Sequence, residues 1–293
     1  MSQTLQVFLT QIIDYAGLFP PSQVSMAVAV QNFAAYQKSE YSWMLGRFIV
    51  PVGRLDEFSN EAESHLTEGK PWQLSVLASE DLAETLEKVS EFNLQNEGKA
   101  KIDTLEVKVE NAESIKDSAK IIPPGITAYY EFPPDEILAD FITALAIHKQ
   151  RAKIRTGGIT VDAFPSTDAI IKFMRICIAA NVPFKATAGL HHPVRCTKPL
   201  TYEANAPIGT MHGFLNLFLS ACFLRQDLNN SSVHRLMNET ESENIKFNEE
   251  KVRWADQNIS ANNIALTRQK NAISFGSCSF LEPVEDLQSL GLL

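Results

Sequence analysis

The sequence predicts an α/β protein built as a (β/α)8 barrel, and three observations carry that expectation. Short apolar runs of strand length recur along the chain. Amphipathic stretches that open with helix-capping residues separate them. The chain is also 293 residues long, 45% of them hydrophobic and 21% charged, which suits one soluble domain of this size. Strand alternating with helix requires parallel pairing through right-handed crossovers, and eight such units close naturally into a barrel. The rival is an open doubly wound sheet, which usually needs a glycine-rich turn after its first strand. DYAGLFPP (14–21) has a single glycine.

Taken in order, the first strand lies within QIIDYAGLF. The next seven are RFIVPV (47–52), WQLSVLAS (72–79), IDTLEVKVE (102–110), GITAYYEF (125–132), RAKIRTGG (151–158), VPFKATAG (182–189) and NAISFGS (271–277). Helices are expected in SEDLAETLEKVSEF, NAESIKDSAKII, PPDEILADFITALAIHKQ and PSTDAIIKFMRICIAAN. Ser79, Asn111 and Ser166 sit where N-caps belong, and Pro134 suits an early helical position. FLNLFLSACFL reads as a buried helix. Two stretches break the rhythm. Residues 191–214 form a long loop after the seventh strand, and residues 226–270 form an acidic helical insertion before the eighth. The expected organisation is one barrel domain over 1–293, with that insertion packed on its side or used to form a homo-oligomer.

Charge and composition exclude several classes. A net charge of −9 without a basic run argues against nucleic acid. No apolar stretch reaches the ~18 residues of a membrane span, and the N-terminus lacks a basic leader, so a cytoplasmic protein without membrane partners is expected. The cysteines (Cys177, Cys196, Cys222, Cys278) form no CxxC pair, hence neither a disulfide framework nor a zinc finger is expected. Cys278 reads as a small core residue or a reactive thiol.

Candidate chemistry comes from strand parity. Side chains alternate faces along a strand, so Lys153 and Arg155 share one face of the sixth strand, and Lys185 and Thr187 one face of the seventh. Glu106 and Lys108 share a face of the fourth, Glu131 ends the fifth, and Ser274, Gly276 and the following Ser277 end the eighth. Asp14 and Tyr15 close the first strand. In a barrel these would converge on the mouth, where cations and carboxylates satisfy one another. The plain alternative is a salt-bridge layer that only fills the interior.

An amine nucleophile must shed its proton, and a neighbouring cation with partial desolvation favours that. Lys153 with Lys185 nearby meets the requirement, Glu106 and Glu131 could move the proton, and Arg155 and Lys108 could hold an anionic substituent. Either lysine could be the nucleophile. His191 and His192 could contact a small-molecule substrate. Alternatively, with Glu203 and His212, they could ligate the metal of a lyase or hydrolase, although the spacing matches no ligand motif. No metal or cofactor is expected.

KIRTG (153–157) and KATAG (185–189), in that order, resemble the sixth- and seventh-strand motifs of class I aldolases of the deoxyribose-phosphate aldolase type. So do the YYE that ends the fifth strand and the GSCS (276–279) of the eighth. The resemblance covers residues 102–280. It implies a (β/α)8 barrel in which Lys153 forms a Schiff base with a small carbonyl substrate while Lys185 lowers its pKa. The chain departs from the pattern where the family has a fourth-strand aspartate, because Glu106 or Lys108 stands there. Arg155 replaces a small hydroxyl residue, and the histidine pair is foreign to the pattern.

Overall fold

A computed structural model describes residues 1–132 and 138–293, so Pro134 lies outside the described residues. The barrel strands are β1 (Ile13–Tyr15), β2 (Leu45–Pro51), β3 (Trp72–Leu77), β4 (Ala100–Lys108), β5 (Thr127–Glu131), β6 (Arg151–Arg155), β7 (Phe184–Thr187) and β8 (Ala272–Ser277). They close in the order β1-β8-β7-β6-β5-β4-β3-β2, and every pairing is parallel. A helix follows each strand, from Met26–Tyr36 after β1 to Leu281–Ser289 after β8. The open-sheet rival is thereby excluded.

Local chemistry explains the helix starts. Asn111 and Ser166 accept from the backbone N–H three residues on, as capping residues do. Ser79 does not cap. Asp81 takes that place, accepting from the Glu84 N–H at 3.0 Å, while the Ser79 hydroxyl donates to the Asp81 carbonyl. The helix Phe214–Leu224 is buried along its whole length, as its unbroken apolar run requires.

The segment 226–270 is only partly helical. Helix Asn230–Met237 leads into a three-stranded antiparallel sheet, Ile245–Phe247, Lys251–Trp254 and Gln257–Ser260, and helix Ala261–Lys270 then returns the chain to β8. Its acidic residues disguise a period of two. Ile245, Val252, Trp254 and Ile259 are buried and join the main hydrophobic core, while Arg253 between two of them is exposed. Asn248 makes the first turn by accepting from the N–H groups of Glu250 and Lys251. Asn216, buried in the helix after β7, donates to the Leu236 and Glu239 carbonyls and accepts from the Arg195 N–H, tying segment and barrel together. The long loop 191–214 likewise contains a hairpin, Cys196–Pro199 against Ile208–Met211. No described helix is long and apolar enough to cross a membrane.

Candidate active site

Lys153 and Lys185 are direct register partners on β6 and β7, and Glu131 on β5 is level with Lys153. All three side chains enter the barrel with Glu106 of β4 and Asp14 of β1. There they form an alternating row. Lys185 Nζ lies 2.7 Å from both Asp14 Oδ2 and Glu106 Oε1. Lys153 Nζ lies 2.7 Å from Glu106 Oε2 and 2.6 Å from Glu131 Oε2. Neutral donors complete the carboxylates: Ser274 Oγ donates to Asp14 at 2.8 Å, Ser75 Oγ to Glu106 at 2.8 Å, and the Arg47 N–H to Asp14 at 2.9 Å. The Lys185 ammonium also sits 5.5 Å from the centre of the Tyr129 ring. Every charge is therefore paired, as burial demands.

The electrostatics differ from those of two lysines facing each other, because Glu106 stands between the ammonium groups. Burial alone would lower the Lys185 pKa, but Asp14 and Glu106 outweigh it and raise the value above the ordinary one. Burial would raise Glu106, but Lys153 and Lys185 together hold it well below the usual carboxylate range. With three carboxylates around two lysines, Lys185 keeps its proton.

Accessibility separates the two amines. A cleft of 420 Å³ is lined by Lys153, Glu106, Glu131 and Lys108, with Val52 and Leu77 among its walls. It adjoins a 920 Å³ cleft that reaches Arg155 and Asn111. Lys185 lines neither and is 1% exposed. Arg155 is 55% exposed at its side chain, with a guanidinium nitrogen 4.0 Å from Glu131. Lys108 and Arg155 are the cations of the wide cleft, against Glu80, Glu110, Asp117, Glu131 and Asp162. Five carboxylates against two cations leave this cleft net negative, which disfavours a phosphate dianion.

The glycines that close the two strand motifs have a packing role. The Gly157 and Gly189 backbones touch, and the Phe164 ring covers both. A Cβ on Gly189 would fall 2.8 Å from Gly157 Cα and 2.8 Å from that ring, at a residue with φ of +74°. Thr156 reinforces the contact through hydrogen bonds to the Thr187 and Ala188 carbonyls. Each Lys-x-x-x-Gly string thus places a lysine in the barrel and locks its strand to the neighbour.

Several predicted residues lie elsewhere. Tyr15, expected at the mouth, has the opposite parity to Asp14. It turns outward into an aromatic cluster with Phe33, Tyr36 and Phe48 and accepts from Asn32. His191 and His192, expected to meet substrate, are buried against the last helix, where Nδ1 of each lies 3.0 Å from Glu282 and 2.6 Å from Asp286 respectively. Adjacent histidines meet carboxylates four residues apart, one helical turn. His212 lies 2.9 Å from the Pro165 carbonyl. Ser277 is buried and accepts from the Ser279 N–H, and Thr187 lines neither cleft. Among the described residues no three His, Cys, Asp or Glu side chains are grouped to hold a metal ion. Ser75 and Tyr129, not anticipated, complete the interior. Strand parity alone could have marked Ser75 from its buried serine inside the apolar run of β3.

Comparison with protein-family models, curated proteins and solved structures returns no match to this chain.

The histidines offer a direct check on this electrostatic picture. Burial lowers His191, but Cys278 and Glu282 outweigh it and raise its pKa to about 9, whereas burial dominates for His192 and His212 and lowers both. Imidazole titration by NMR should find one group near pH 9 and two below the ordinary 6.5. Because the folded value for His191 exceeds the unfolded one, its stabilising contribution is complete below pH 6.5 and fades as pH rises through about 9. A His191 resonance titrating at or below 6.5 would refute the assignment.

Proposed function

We propose that this protein is a carbon–carbon lyase of the class I aldolase type, in which Lys153 forms an imine with a small β-hydroxy carbonyl compound bearing one carboxylate. The observation that carries the reading is the selective exposure of Lys153. It alone of the two buried lysines lines a cleft, and two carboxylates flank it within hydrogen-bonding distance. Glu131, at the rim, takes the ammonium proton, and the freed amine adds to the carbonyl carbon. The carbinolamine expels water, its oxygen taking the proton back from Glu131, to leave an iminium ion. As the adjacent C–C bond breaks, its electron pair enters the iminium to give an enamine, and the substrate's β-hydroxyl yields its proton to a carboxylate. Protonation of the enamine carbon and hydrolysis then release the second product. Glu106 and Lys185 position Lys153 and keep the pocket's charge fixed. Lys108 and Arg155 receive the substrate carboxylate.

A second reading draws on the saturation of both buried lysines by carboxylates. The row would then be a structural filling, with Lys108 and Arg155 binding a small anion and no covalent step. Borohydride reduction with a panel of aldehydes and keto acids, followed by peptide mapping, separates the two. The expected result is an adduct on Lys153 that is absent in Lys153→Arg, a change that keeps a cation between Glu106 and Glu131. Absence of any adduct, with a simple carboxylate still raising the Tm, would favour the non-covalent site.

A further inference from the structure

At the N-terminal ends of the strands, away from the lysine cleft, the barrel floor holds a cavity of 470 Å³. Gln11 precedes β1, Arg47 and Gln73 stand near the starts of β2 and β3, and Ser274 near the start of β8. Arg268 and Gln269 come from helix Ala261–Lys270. No Asp or Glu is among the described residues that line this cavity. Its wall is therefore positive, the opposite of the wide cleft at the other end, although the chain carries a net charge of −9.

The hydrogen bonds show how much of that charge is already met. Asp103 accepts from Nε and Nη2 of Arg47 at 2.7 and 2.8 Å, so this pair is neutral and leaves Nη1 without a partner among the described residues. Arg268 differs. Its Nε donates to the Phe8 carbonyl and its Nη2 to the Thr10 carbonyl, both at 2.9 Å, while Nη1 donates to the Ala272 and Ile273 carbonyls. Phe8 and Thr10 end the helix Gln3–Leu9, so their carbonyls carry part of a negative dipole but no full charge. These bonds fix the guanidinium in place, yet a fifth N–H and a net positive charge remain.

We infer that this floor cavity binds a small organic carboxylate of one negative charge, at a site separate from the lysine cleft. Charge balance sets the number. With Arg47 paired to Asp103, Arg268 is the cation without a counterion among the described lining residues, and one carboxylate neutralises it. Arg47 Nη1 and the remaining Arg268 N–H are the donors for that group. The amides of Gln11, Gln73 and Gln269 both donate and accept, which suits a hydroxylated organic acid better than a bare inorganic ion. Ser274 is buried, lines the cavity and donates to Asp14 at 2.8 Å, so the site abuts the sealed end of the lysine row.

The test is titration of the intact protein with glycolate, a carboxylate carrying one hydroxyl, followed by backbone and glutamine side-chain amide NMR. Saturating shifts are expected at Gln11, Gln73, Gln269 and Ser274. Gln269→Glu, at an exposed position, places a carboxylate on the wall and should weaken this binding about tenfold by charge repulsion. Gln95→Glu adds the same charge at an exposed position outside the cavity and should leave the affinity unchanged. Shifts confined to the surroundings of Lys108 and Arg155, shifts at the floor that never saturate, or equal affinity in Gln269→Glu and wild type would each overturn the inference. Because the two ends of the barrel are read separately, failure here leaves the lysine-cleft proposal standing, and the reverse.

Discussion

Lys185→Met should destabilise the protein by about 3–5 kcal/mol, the scale for leaving one partner of a buried ion pair uncompensated. Asp14, 1% exposed, would then keep only neutral direct donors, Ser274 Oγ and the Arg47 N–H. Three carboxylates would share one ammonium. Glu106→Gln removes a charge from the centre of the same row yet leaves each lysine one carboxylate, Asp14 for Lys185 and Glu131 for Lys153. Its cost should be only about 1–2 kcal/mol, that of weakened hydrogen bonds. Urea unfolding of the two variants gives the comparison, and Asp14→Asn added to Lys185→Met should recover part of the loss. Equal costs, or no recovery, would mean that charge balance does not govern this interior.

Gly189→Ala should cost about 2–4 kcal/mol, combining left-handed backbone strain with overpacking. The added methyl meets the Gly157 backbone, which cannot rotate away, and the Phe164 ring, which can move only by opening the β6–β7 seam. Gly53→Ala serves as control, since a Cβ there meets nothing within 4 Å. Thermal denaturation of both variants should show a large drop in Tm for the first and almost none for the second. A similar small drop in both would remove the seam from the account of why each lysine motif ends in glycine.

The fold was legible because each strand is an apolar run bounded by polar or glycine residues, and a parallel barrel buries such runs on both sides. Parity then found Glu106, Glu131, Lys153 and Lys185, since period two fixes which side chains enter the barrel. The error at Tyr15 came from its place at the end of the first strand; one residue from Asp14, it falls by parity on the other face. What could not be read were partnerships across long sequence separations. Nothing local links His191 to Glu282, and Glu106 lies 79 residues from Lys185. The small sheet at 245–260 escaped because strands of three or four residues offer too few repeats to reveal alternation among so many acids.

The row from Glu131 through Lys153, Glu106 and Lys185 to Asp14 has a consequence for any titration curve measured on this protein. Each ionisable member is ion-paired with the next, so a proton lost at the cleft end alters the field on every other. The apparent ionisations in a pH–rate profile would then be collective properties of five groups and belong to no single residue. Substitution at the sealed Asp14 end should therefore change the pH dependence of the reaction proposed for Lys153, although Asp14 lines neither cleft.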